Sequence, residues 1–89
     1  MSFVMTKKQF AVLEGLAYRI ADNAYMRERY GDDEPELENV RKTIHSLFDE
    51  LDRLQVPFWV QNTVIVWAED WRRYKTDDMA SYLTTRGIF

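Results

Sequence analysis

Residues 56–68 read VPFWVQNTVIVWA, and two folds compete for them. The β-branched and aromatic residues favour strands, with Gln61 and Asn62 in the turn of a hairpin. Gln-Asn is, however, a poor two-residue turn. Pro57 suits the first turn of a helix, and Val60, Val64, Trp67, Trp71 and Tyr74 recur at 4,3,4,3 spacing into the helical run WAEDWRRY. The spacing predicts one helix over residues 57–75. The hairpin, which would make the chain α+β, is the minor alternative.

The same period runs upstream. Leu37, Val40, Ile44, Leu47, Leu51 and Leu54 repeat at 3,4,3,4,3, the clearest pattern in the chain, and Glu38 with Lys42 and Asp49 with Arg53 form i,i+4 pairs on the outer face. Asp33 is placed to cap this helix and Pro35 fits its first turn, so it is expected over residues 34–55, with Leu47 and Leu51 in the core. Before it, Thr6 and Gln9 have capping-box spacing and Met5 and Phe10 that of a hydrophobic staple. Phe10, Leu13, Ala17, Ile20 and Ala24 continue the stripe to a terminator at Gly31, giving a helix over 7–30. Downstream, Thr76 to Gly87 delimit a short fourth helix, about 77–86, with Tyr82 and Leu83 inward. Short connections make consecutive helices antiparallel. The expectation is an all-α, small antiparallel three-helix bundle with a short C-terminal fourth helix, in one domain spanning residues 1–89.

Composition agrees with a folded domain: 89 residues, 46% hydrophobic and 30% charged, support one core but not two. The absence of cysteine excludes disulfides and Cys-based zinc sites. No apolar stretch approaches the roughly 18 residues that span a bilayer, and the N-terminus lacks the order of a signal peptide, so a cytoplasmic protein without membrane contact is expected.

Few residues suggest chemistry. His45 is the sole histidine, and with Asp49 it falls short of the ligands zinc needs; its neighbour Ser46 points about 100° away on a helix. Gly15, Gly31 and Gly87 form no phosphate loop. Glu69 and Asp70 read as part of an ion-pair network with Arg72 and Arg73. No enzyme activity, cofactor or metal is expected. Arg72, Arg73 and Lys75 beside Trp71 and Tyr74 have the ingredients of a single-strand-binding surface, but residues 1–30 sum to +2, residues 31–55 to −5 and residues 56–89 to zero. That balance argues against direct nucleic-acid binding.

Two features exceed what a plain bundle needs. Phe58, Trp59, Ile65 and Val66 lie off the apolar stripe, leaving the first half of the third helix apolar nearly all round. Phe3, Val4, Ile88 and Phe89, or another chain, must cover it. Tyr18 and Tyr25 form a second stripe with Ala11, and tyrosines of this kind favour interfaces. The second feature is the acidic patch Asp32, Asp33, Glu34, Glu36 and Glu38, more carboxylates than a helix start uses. Flanked by Tyr25 and Tyr30, it is the expected contact for another protein with a basic surface, with Tyr18, Trp59, Trp71 and Tyr74 as the alternative aromatic contact. No residue pattern identifies a family. In size, acidity and lack of catalytic motifs the chain resembles the small inhibitors that phages and mobile elements encode against host enzymes, CRISPR nucleases among them. That resemblance implies a non-catalytic protein-binding module. A homo-oligomeric scaffold, a small-ligand-sequestering bundle and a nucleic-acid accessory protein are the alternatives.

Overall fold

The computed structural model describes residues 1–89, in five helices: α1 (Lys7–Tyr30), α2 (Glu36–Arg53), α3 (Phe58–Ala68), α4 (Trp71–Thr76) and α5 (Met79–Thr84). Residues 58–68 are therefore helical and no hairpin forms, as the 4,3 spacing requires. The α1 start is the one read from sequence: the Gln9 amide donates to Thr6 Oγ1 at 3.1 Å and the Thr6 amide to Gln9 Oε1 at 2.8 Å. Its end is Gly31, at φ 85, whose amide donates to the Arg27 carbonyl at 3.0 Å.

The boundaries of three expected helices shift, each for a local reason. The helix expected over 57–75 is two helices. The α3 ladder closes where the Glu69 amide reaches the Ile65 carbonyl at 2.9 Å, and Asp70, in extended conformation, starts α4 by accepting from the Arg72 amide at 3.1 Å. A capping aspartate competes with the continuing ladder for backbone donors, and here it wins. The fourth helix expected over 77–86 is limited to Met79–Thr84 in the same way, because Asp78 accepts from the Ala80 amide at 3.2 Å. At the start of α2 the opposite holds. Asp33 does not cap; Pro35 enters with φ already helical, and the Leu37 and Glu38 amides donate to the carbonyls of Glu34 and Pro35 at 3.0 and 3.3 Å. These backbone bonds use the first donors, so the helix begins at Glu36 rather than 34, and it ends at Arg53 rather than 55, where Gln55 leaves the helical conformation at φ 60.

Helix α1 is the shared element, packing against α2, α3 and α4. Helix α2 runs antiparallel to it: Leu47 lies over Gly15, and the Gln9 side chain donates to the Leu54 carbonyl at 2.9 Å, tying the α1 start to the α2 end. Between them and α3 lies one core, in which Leu13, Leu16, Leu51, Val60, Val64 and Trp67 are buried. Leu47, expected in the core, is only half-buried where it faces Gly15. Gln61 is the one buried polar residue. Its amide nitrogen donates to Asp52 Oδ1 and to the Val56 carbonyl, both at 3.0 Å, which satisfies it and locks the α2–α3 turn.

The chain ends meet, which the sequence did not announce. Phe3 and Ile88 form a parallel bridge, with the Phe3 amide donating to Gly87 (2.8 Å), the Phe89 amide to Phe3 (2.8 Å) and the Met5 amide to Phe89 (2.7 Å). This buries Ile88, but it does not cover all of α3: Trp59 and Ile65 are half-buried, whereas Phe58 is 74% and Val66 50% exposed. The resulting body measures 38 × 28 × 18 Å. So thin a slab leaves much of α1 reachable along one face.

Candidate functional site

The seam between α1 and α4 collects most of the aromatic residues singled out above. Tyr18, Tyr25 and Glu28 stand at i, i+7 and i+10 on α1, one face of a helix, and meet Trp71, Tyr74 and Lys75 at i, i+3 and i+4 on α4. Tyr25 packs edge-on to Trp71 with centroids 5.0 Å apart, and Tyr18 edge-on to Tyr74 at 6.3 Å. Such pairs add to burial through ring electrostatics. Glu28 fastens the seam. Its carboxylate accepts from the Trp71 indole at 2.6 Å and from the Arg72 guanidinium at 2.6 and 3.2 Å, a two-pronged ion pair across the helices. The hydrogen bonds from Arg72 first, and from Trp71 second, hold the Glu28 carboxyl below the usual carboxylate range. Burial pushes the Tyr74 phenol up, with Tyr18 and Glu14 adding to the rise.

Cations sit over these rings. Arg72 lies 4.3 Å from the Trp71 centroid, Lys75 lies 5.3 Å from Trp71 and 5.7 Å from Tyr25, and Arg19 lies 5.2 Å from Tyr18. At the far side, Tyr82 has Arg86 at 3.6 Å and Arg73 at 5.8 Å. A nucleobase needs an open ring face, and Trp71 already holds two of the chain's own cations. Two depressions flank the Tyr25–Trp71 contact. One, of about 600 Å³, is lined by Tyr25, Glu28, Arg29, Tyr30, Trp71 and Arg72; the other, of about 320 Å³, by Tyr18, Ala21, Asp22, Tyr25, Trp71, Tyr74 and Lys75.

The acidic patch lies apart from both depressions. Asp32 is paired with Arg27 at 2.8 Å and Glu38 with Lys42 at 3.5 Å, all four side chains exposed, while Asp33, Glu34 and Glu36 have no ion-pair partner. Glu36 lines a third hollow, of about 220 Å³, between α1 and α2, together with Arg19, Asp22, Met26, Asn39, Val40 and Thr43. Tyr30 is 58% exposed, but it shares its depression with Trp71 and not with the carboxylates. The structure thus groups Tyr18, Tyr25, Tyr30, Trp71 and Tyr74 on one seam, and leaves Asp33, Glu34 and Glu36 as a separate charged end. Trp59 stands away from the seam, packed against the core from α3. Sequence reading missed Asp22, which lines both the α1–α2 hollow and the α1–α4 groove and has neither ion pair nor hydrogen bond. Its position, four residues after Tyr18 and three before Tyr25, was the available signal.

His45 is exposed, its ring edge-on to Phe48 at 6.3 Å, and no group of three or more His, Asp or Glu side chains is placed to hold a metal ion. No helix is long and apolar enough to cross a membrane. No family model matches the chain, and no curated protein and no solved structure matches it.

Proposed function

We propose that this chain is a non-catalytic protein-binding module that docks its acidic end and the neighbouring tyrosines onto a basic surface of a partner. The class it resembles suggests the kind of partner: a host enzyme that handles nucleic acid, such as a CRISPR nuclease, whose nucleic-acid-binding groove the module would block. The observation that carries the reading is what the carboxylates of residues 32–38 are not doing. None of them accepts a capping hydrogen bond at the start of α2; Glu36 and Glu38 lie in its first turn, where the helix dipole favours them, but Asp33 and Glu34 precede the helix, and Asp33, Glu34 and Glu36 form no ion pair. Three unpaired carboxylates kept together repel one another, a small cost that a basic partner would turn into attraction and faster encounter. Exposed Tyr30 lies just ahead of them in sequence as an anchor.

The test is affinity capture paired with a variant. Asp33→Asn, Glu34→Gln and Glu36→Gln together should leave the fold intact, slow association with any captured protein and flatten its salt dependence. Tyr30→Ala should chiefly speed dissociation. A captured protein that binds the triple variant as fast as the parent at low salt would show the patch to be plain solvated surface. A second reading has its own observation. Phe58 and Val66 of α3 are large apolar side chains left exposed, which favours a homo-oligomeric scaffold. Light scattering on the chain and on a Phe58→Ser variant separates the two.

A further inference from the structure

The groove between α1 and α4 contains a carboxylate that forms no ion pair, Asp22, and the adjoining site shows what is missing. At Glu28 the chain assembles three parts: an α1 carboxylate, an α4 aromatic ring, and a guanidinium that stacks 4.3 Å over Trp71 while bonding the carboxylate at 2.6 and 3.2 Å. Six residues back on α1, Asp22 stands with Tyr18 and, from α4, Tyr74. These are the first two parts again, with no bond to Asp22 from any guanidinium. Lys75 lines the groove but lies over Tyr25 and Trp71, and Arg19, which lines the α1–α2 hollow, lies over Tyr18. Tyr18 is 51% exposed, so the groove opens to solvent, and at about 320 Å³ it is at the small end of ligand sites.

We propose that this groove receives one arginine side chain from a basic protein partner, with Asp22 as its carboxylate and Tyr18 and Tyr74 as its stacking walls. The inference rests on the basic-partner reading above and specifies which residue type that partner inserts. Arginine fits better than lysine, because a planar guanidinium stacks on a ring and bonds a carboxylate with two donors at once. The groove's own lining carries one carboxylate, Asp22, and one ammonium, Lys75, with Glu14 close enough to Tyr74 to act on its phenol. Lys75 in the groove and Arg19 over Tyr18 are then resident competitors, which an incoming guanidinium must push aside.

That competition makes the test decisive, since the sign of the Lys75 effect distinguishes a cation site from an anion site. The probe is a blocked Gly-Arg-Gly peptide titrated into the full chain and followed by amide and indole NMR shifts, with the citrulline and lysine peptides as controls. Shifts should centre on Asp22, Tyr74 and the Trp71 indole. Asp22→Asn should weaken binding about tenfold, as loss of a charged hydrogen-bonded pair does. Tyr18→Leu, at an exposed position that tolerates change, should weaken it about threefold, and Lys75→Met should tighten it by a similar factor. Equal binding of the citrulline or lysine peptide, an unchanged Asp22→Asn variant, or weaker binding by Lys75→Met would each overturn the assignment. Shifts confined to residues 33–36 would defeat the groove and leave the basic-partner reading standing. No shift anywhere at tens of millimolar peptide defeats both.

Discussion

Two glycines make opposite demands. Gly15 lies inside α1 in ordinary helical conformation, and a methyl placed there would meet Leu47 Cδ2 at 3.8 Å, a normal van der Waals contact. Gly15→Ala therefore adds helix propensity and gives half-buried Leu47 something to pack on. The expected gain is about 0.5–1 kcal/mol, read as a higher midpoint in urea or heat. Gly87 has φ 82, and a methyl there would come within 2.5 Å of the Met1 carbonyl oxygen, so Gly87→Ala strains the backbone and pushes the two chain ends apart. It should lower the midpoint. In the core, Leu51 has no accessible surface and its truncation to alanine should cost about 2–5 kcal/mol, whereas Leu47→Ala, at a half-buried position, should cost less. Equal losses would mean that α2 presents a different face to α1 than the one described.

At the scale of elements, α4 is the one held by polar contacts as much as by burial: none of its residues is fully buried, and Glu28 clasps both Trp71 and Arg72. The Glu28 carboxyl is lowered, chiefly by Arg72 and then by Trp71. A group whose folded pKa lies below its unfolded one stabilises the fold at pH above the unfolded value, and that contribution is lost as the pH falls through the folded one. Acidification from neutral pH to below the usual carboxylate range should thus release the Trp71 indole resonance while core amides still exchange slowly. In Glu28→Gln the acid dependence of that resonance should disappear. The helices themselves were largely legible, because a 3,4 apolar repeat and a Thr-x-x-Gln cap act within a few residues of one another. The α3–α4 break was not, although its agent stands in the sequence: Asp70 interrupts a stripe whose period runs unbroken across it. Periodicity reports which side chains turn inward, and a stripe bent around a capping aspartate has the same spacing as a straight one. The α1–α4 seam was half legible for a related reason. Tyr18 and Tyr25 share a helix face on spacing alone, but which partner helix meets that face depends on the direction α4 takes after the break.

The whole molecule is closed by its ends. Three backbone hydrogen bonds join residues 3–5 to residues 87–89, and they bring half-buried Phe3 and Met5 into the core cluster beside Ile88, which is 1% exposed. Nothing in the local sequence dictates this, since the pairing residues are separated by almost the entire chain and the cost of bringing them together is met by the helices between. In a slab 18 Å thick, few residues lie far from solvent, so a cover over Ile88 matters more than it would in a thicker domain. Removing residues 1–5 uncovers Ile88 and strips two large side chains from the core, which at the usual value of burial should cost about 2–4 kcal/mol. It leaves the Thr6–Gln9 cap in place, so α1 itself should persist. Phe58→Ser is the matched control. Phe58 is as apolar as anything in the N-terminal segment but 74% exposed, and its loss should change stability by no more than about 0.5 kcal/mol. Denaturant midpoints of the two variants decide the matter. If the truncated chain is as stable as the intact one, the terminal pairing is a surface contact that the helices tolerate; a large loss for Phe58→Ser at dilute concentration would place that ring under cover in solution, against an apolar face of a second copy.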